Sequence, residues 1–276
     1  ALQAKPDCSP HTLRPLSGEE SWELLEQKLF DKAGCPTDLV EIGKRIATNC
    51  KGLALAVVLV AGILTGKSRN LDWWLQVESS IGSHIVAADG CMDVLQLSYK
   101  HLPDCLRPCF LYFAAYPEDT VVGVQKLMRL WIAQGFIQRI EGKSLDDVAE
   151  EYLMDLISRS LVIVAKRSSK GRIKTCRVHD LVHELCLVKV KEENFLHWVH
   201  EHDVSQNLDP REYDQYRLCI DSEWTHFTKS SSHGPLVNSL QLFGTYEMSQ
   251  PHSSSSSFFN NFILLQVLDL ECLYLE

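Results

Sequence analysis

Apolar positions recur at helical spacing from early in the chain. Trp22, Leu25 and Leu29 fall on one face of a helix predicted from Gly18 to about Phe30. Ser17 followed by Glu20 has the spacing of a capping box, in which the serine oxygen takes one orphan amide and the glutamate reaches back to another. Leu39, Ile42, Ile46 and Cys50 repeat the period, and Gly52 interrupts it where a C-terminal cap falls. Leu53 to Leu64 is apolar nearly all round, which predicts a helix at the centre of a small helical domain. Asn70 then caps a helix carrying Leu71, Trp74, Leu75 and Val77.

After a soft break around Gly82 to Gly90, helices are predicted over Cys91 to Tyr99, Asp104 to Ala115, Gly123 to Gln134 and Leu145 to Ser158, the last with Ser144 and Asp147 at cap spacing. Leu161 to Ala165 is β-branched and apolar, Ser168 to Gly171 is turn chemistry, and Ile173 to Val178 returns, so helices lead into a two-stranded hairpin as in a winged helix. From about Lys191 the periodicity fades into polar, His-rich and Ser-rich loop. Leu236 to Phe243 and Leu264 to Leu270 then carry alternating leucines like the strand of a leucine-rich repeat. The chain opens at Ala1 without an initiator Met and closes at Glu276 inside the second such segment, so both ends read as cut.

Composition narrows the function classes. With 45% hydrophobic and 23% charged residues in 276, the chain can bury more than one core. A formal charge of -9 argues against a general polyanion-binding surface, since phosphate backbones are held by clustered Lys and Arg. Ten cysteines stand singly, several inside apolar helical stretches, as in a protein of a reducing compartment. No secretory signal opens the chain, and the longest apolar run is shorter than the ~20 residues that span a bilayer.

Three motifs invite chemistry. Ala61 to Ser68 imitates a phosphate-cradling loop with its first glycine relaxed to Ala, but Ile63 and Leu64 add bulk and no strand ending in a magnesium-holding acid follows, so Lys67 reads as solvated. His179 and His183 stand one turn apart as in a zinc hydrolase, and Cys176 and Cys186 are further ligands by type. A winged helix raises the alternative of a DNA-binding regulator. There the candidate recognition helix, Leu145 to Ser158, carries Asp146, Asp147, Glu150, Glu151 and Asp155 and no basic residue, while the wing clusters Lys166, Arg167, Lys170, Arg172 and Lys174. Val178, His179 and Asp180 lie where the hairpin gives way to a helix start, a place where amides favour an anion and where Asp180 is expected as the cap.

Four segments in order resemble the NB-ARC module of plant intracellular immune receptors, the NLR family. Gly52-Leu53-Ala54-Leu55-Ala56 is similar to its GLPLA motif, with Ala54 where the motif has proline. Cys109 to Asp119 and Leu130 to Ile137 resemble its winged-helix elements, and Val178-His179-Asp180 resembles its MHD motif, with Val for Met. The resemblance implies a mainly α fold: residues 1–16 as linker from a missing nucleotide-binding subdomain, a four-helix-type helical subdomain over 17–83, and a winged-helix subdomain over 88–190. A linker over 191–235 and the start of leucine-rich repeats over 236–276 would follow.

Function is implied on the same footing. His179 would contact the β-phosphate of ADP, helped by Asp180, and Gly52, Leu53, Ala54 and Leu55 would lie near the adenine. The chain would be part of an ADP/ATP switch in defence, with nucleotide held by the intact receptor and weakly or not at all by this fragment, and it would not be an enzyme by itself. Its partners would be the nucleotide-binding subdomain and repeats in cis, a receptor oligomer, and a pathogen effector or guarded host protein, with no nucleic acid. Its location would be cytoplasmic, with peripheral membrane association on activation as an option.

Overall fold

Ser17 starts the first helix as its spacing predicts: its Oγ accepts from the Glu20 amide at 3.1 Å and its own amide donates to the Glu20 carboxylate at 2.7 Å. In the computed structural model, which describes residues 14–65, 70–84, 90–200, 217–221, 237–243 and 263–270, the chain divides into two units, 1–101 and 102–276.

The first unit is helical: α1 (Gly18–Phe30), α2 (Val40–Asn49), α3 (Ala54–Thr65), α4 (Leu71–His84) and α5 (Gly90–Lys100). The apolar α3 is its centre, packed against α1 and α5, with Val57, Leu59, Val60 and Leu64 buried. Asn70 caps α4 by accepting from the Trp73 amide at 2.9 Å. Trp74 is fully buried and stacks on Phe30 at 6.2 Å. Gly43 makes room for the aromatic side chains, since a Cβ there would sit 2.1 Å from the Trp22 ring and 3.0 Å from that of Trp74. Helix α5 groups with this unit, although the resemblance places the winged-helix subdomain from residue 88.

The second unit opens on a short helix α6 (Arg107–Leu111) that tightens into a 3-10 turn over Tyr112–Ala115, where one continuous helix from Asp104 is expected from the sequence. Leu102 to Tyr116 is nonetheless largely core: Cys109 to Tyr116 are all buried. Next come β1 (Val122–Gly123), α7 (Val124–Ala133), α8 (Leu145–Ser158), β2 (Ile163–Arg167), β3 (Ile173–Arg177) and α9 (Asp180–Glu192). The strands form an antiparallel sheet in the order β1-β3-β2, which with α7 and α8 completes a winged helix. Ser144 and Asp147 build the expected capping box at α8.

A second sheet follows, with β4 (His197–His200), β5 (Arg217–Asp221), β6 (Ser239–Phe243) and β7 (Val267–Asp269) pairing in chain order, every pair parallel. Two of these strands, β4 and β5, lie in the stretch 191–235 expected as linker. One face of the sheet buries Val199, Leu218, Ile220, Leu240 and Leu242 in a common apolar cluster. Gly66, Lys67 and Ser68 of the phosphate-loop look-alike lie outside the described residues, as do residues 1–13 and the run Ser253 to Ser257.

Candidate functional site

Gly52 closes the turn between α2 and α3 with a φ of +73°, and the entering chain crosses directly over it. The Leu16 amide donates to the Gly52 carbonyl at 2.9 Å. A Cβ at residue 52 would lie 2.4 Å from the Leu16 carbonyl oxygen and 2.9 Å from Pro15, so both the backbone angle and the space call for glycine. Ala54 is the first residue of α3 and is exposed, Leu53 beside it is 41% exposed, and Leu55 is half-buried. An apolar pair is thus held at the surface of a rigid helix start.

His179 holds the start of α9 in the second unit. Its backbone is extended, at φ -78° and ψ 149°, and its Nδ1 accepts from the Leu181 amide at 3.3 Å. The cap is therefore His179, where the sequence predicts Asp180. Asp180 is the first helical residue, exposed, where a negative charge meets the positive end of the helix dipole. Since Nδ1 must carry a lone pair to accept, the neutral ring has its hydrogen on Nε2, which is left as a donor.

His183, one turn on, points the other way. It is buried, and its Nε2 donates to the Tyr116 carbonyl at 2.9 Å. Cys186 donates to the Phe110 carbonyl at 3.6 Å and the Trp198 indole to the Ala114 carbonyl at 2.7 Å. Side chains of α9 and β4 thus satisfy backbone oxygens of the 107–116 segment, whose helix is too short to satisfy them all. This arrangement removes the basis for a zinc hydrolase on His179 and His183. His183 is buried against the Tyr116 carbonyl while His179 caps the helix start, and burial pushes the Cys176 thiol up to about 12 and that of Cys186 well above its ordinary value, against the thiolate a metal needs. Among the described residues no group of three or more His, Cys, Asp or Glu could hold a metal ion.

The DNA-binding alternative meets its charge obstacle in the fold as well. Asp146, Asp147, Glu150 and Glu151 are all exposed on α8, the helix that a winged helix would lay in a major groove.

The residues that join the parallel sheet to the winged helix escape sequence reasoning. The Arg217 guanidinium lies 4.9 Å from the Phe136 ring centre and 4.6 Å from that of Phe195, with Nε donating to Gln134 at 2.8 Å and Nη1 to the Phe195 carbonyl at 3.1 Å. Lys126 on α7 pairs with Asp269 on β7 at 2.7 Å. Trp198 and Tyr116 both meet Phe243, at 5.5 and 6.2 Å. Partners so far apart in the chain leave no local signal.

Comparison with known proteins agrees with this architecture. Residues 115–186, from the 3-10 turn through the hairpin into α9, match the winged helix domain of disease resistance proteins. Two late blight resistance protein homologs of Solanum demissum are each 40% identical over 279 residues, covering 98% of this chain and 21% of the relative. Late blight resistance protein R1-A of the same species is 38% identical over 281 residues, 98% of this chain and 22% of its own length. The chain thus spans about a fifth of the length of these curated relatives. Among the described residues no helix is long and apolar enough to cross a membrane. Along nearly its whole length the chain is thus similar to a segment of plant late blight resistance proteins, and its winged helix is of the disease resistance protein type.

Proposed function

We propose that this chain works as the responsive part of an ADP/ATP-dependent switch in a plant disease resistance protein, within the cytoplasm. The observation that carries the reading is the state of His179: its Nδ1 is spent on capping α9, so an Nε2 hydrogen is held ready for an acceptor beside the amides of a helix start. A phosphate of a bound nucleotide fits that donor. Gly52 and Leu55 fix the turn, and Leu53 and Ala54 offer the base side an exposed apolar surface. The nucleotide itself supplies a negative phosphate that a charge-assisted hydrogen bond recognises.

Such a bond contributes about 1.5 to 3 kcal/mol, and about 1.4 kcal/mol shifts a population tenfold, so one histidine can decide whether the receptor rests off. Asp180 contributes by supporting the helix start on which His179 stands. The chain carries no residues we assign to phosphoryl transfer, and its role is to hold or release a state. The strands beginning at His197, Arg217, Ser239 and Val267 pair in order at spacings that fit the roughly 20–29 residues of a leucine-rich repeat, which supports reading them as the start of such a region.

The test is nucleotide content. Full-length receptor purified with His179→Ala should carry less ADP than the parent and signal without effector, while phosphate release from ATP by the 276-residue chain stays at background. Undiminished ADP in a stably accumulating variant would overturn the reading.

A further inference from the structure

The wing of the winged helix carries a charge that nothing else in the fold uses. Lys166, Arg167, Lys170, Arg172, Lys174 and Arg177 lie on β2, β3 and the turn between them, and all are exposed. None forms a salt bridge among the described residues; Arg167 makes only a contact to the Gly171 carbonyl within the hairpin, at 3.1 Å. No Asp or Glu and no aromatic residue occurs from Leu161 to Val178. In a chain of net charge -9 this is a concentrated cationic ridge. Ile163, 36% exposed, and the half-buried Ile173 stand among the cations.

We propose that the β2–β3 hairpin is a docking surface for an anionic phospholipid bilayer. Duplex nucleic acid is disfavoured because α8, the next element towards the groove, exposes Asp146, Asp147, Glu150 and Glu151. Single strands are disfavoured because the hairpin offers no aromatic ring on which a base could stack. A second copy offering its acidic α8 is disfavoured because Glu151 is held by Lys143, Asp155 by Arg159 and Asp147 by Ser144, leaving fewer free acids than the wing has cations. A bilayer asks only for projecting cations within a Debye length of its surface and tolerates isoleucine at the interface.

Each cation near an anionic membrane contributes about 1 kcal/mol, which is roughly fivefold in partition. The experiment is sedimentation of the 276-residue chain with vesicles of phosphatidylcholine alone or with phosphatidylserine, at low and at physiological salt. Binding should require phosphatidylserine and weaken with salt. The triple variant Lys166→Gln, Lys170→Gln, Lys174→Gln should bind roughly 100-fold less, while the triple Lys→Arg variant retains binding and both keep the parent's melting curve. Equal binding to neutral vesicles, or no loss in the Gln variant, would overturn the proposal. So would tighter binding to duplex or single-stranded DNA than to anionic vesicles, or a wing-dependent gain in oligomer mass without vesicle binding.

Discussion

The imidazole of His183 donates from Nε2 to the backbone carbonyl of Tyr116 across 2.9 Å and a separation of 67 residues. A carbonyl can only accept, so the bond fixes the tautomer and ties α9 to the end of the 3-10 turn that replaces the expected helix. His183→Leu should remove this buried hydrogen bond and cost about 1 kcal/mol. Urea unfolding followed by near-ultraviolet circular dichroism would measure it, and an unchanged midpoint would show that the bond contributes nothing.

Gly52 meets two constraints at once, a positive φ and the Leu16 carbonyl where a Cβ would stand. Gly52→Ala should therefore destabilise the first unit by about 2 kcal/mol or more. The expected readout is a lower melting temperature with loss of the Leu16 to Gly52 hydrogen bond in amide exchange.

Ala54 is the first residue of α3, a position whose amide has no partner within the helix. Ala54→Pro, which restores the proline of the motif, should be accepted and stabilise by about 0.5 kcal/mol, since proline at a first helical position is pre-shaped for it. A large loss of stability on calorimetry would show that the turn before α3 cannot take the ring.

The two neighbours at the start of α9 should separate in their effects. His179→Ala removes the cap and should cost about 1 kcal/mol, whereas Asp180→Val removes only a charge from the first turn and should cost about 0.5 kcal/mol. His179→Asn keeps a capping oxygen and should recover stability without recovering ADP in the full receptor. Stability and nucleotide content measured on the same three variants would test this, and Asn restoring both would overturn it.

Glu20 is held at a pKa of about 2, first by the hydrogen bond from Arg14 and then by the Ser17 amide. Because the folded value is depressed, its contribution is fully present above the ordinary carboxylate range and is lost as pH falls towards about 2. Carboxyl titration by NMR should give that low midpoint, and Arg14→Gln should move it upward.

Local chemistry was legible from the sequence where it could act locally. The caps at Ser17, Asn70 and Ser144 and the full extent of α8 depend on residues within one turn of each other, and they stand where the pattern predicts. The cap at α9 is not legible locally because Asp and His can both accept an amide. The choice falls to the extended backbone of His179, which the preceding strand imposes. Strands β4 and β5 carry no clear strand signal, because His197 to His200 and Arg217 to Asp221 are short and mix polar with apolar residues. They become strands by pairing with segments far along the chain. The Arg217 sandwich has the same cause, since Gln134, Phe136 and Phe195 reach it only in the fold.

The roof of aromatic and basic side chains over the parallel sheet bears on how this protein can diversify. Cys219, Ser239, Gln241 and Asp269 stand at strand positions that would otherwise be open to solvent, yet all are buried in the second unit. A covered position is answerable to its neighbours and cannot drift freely. These strand positions should therefore evolve at the pace of a core.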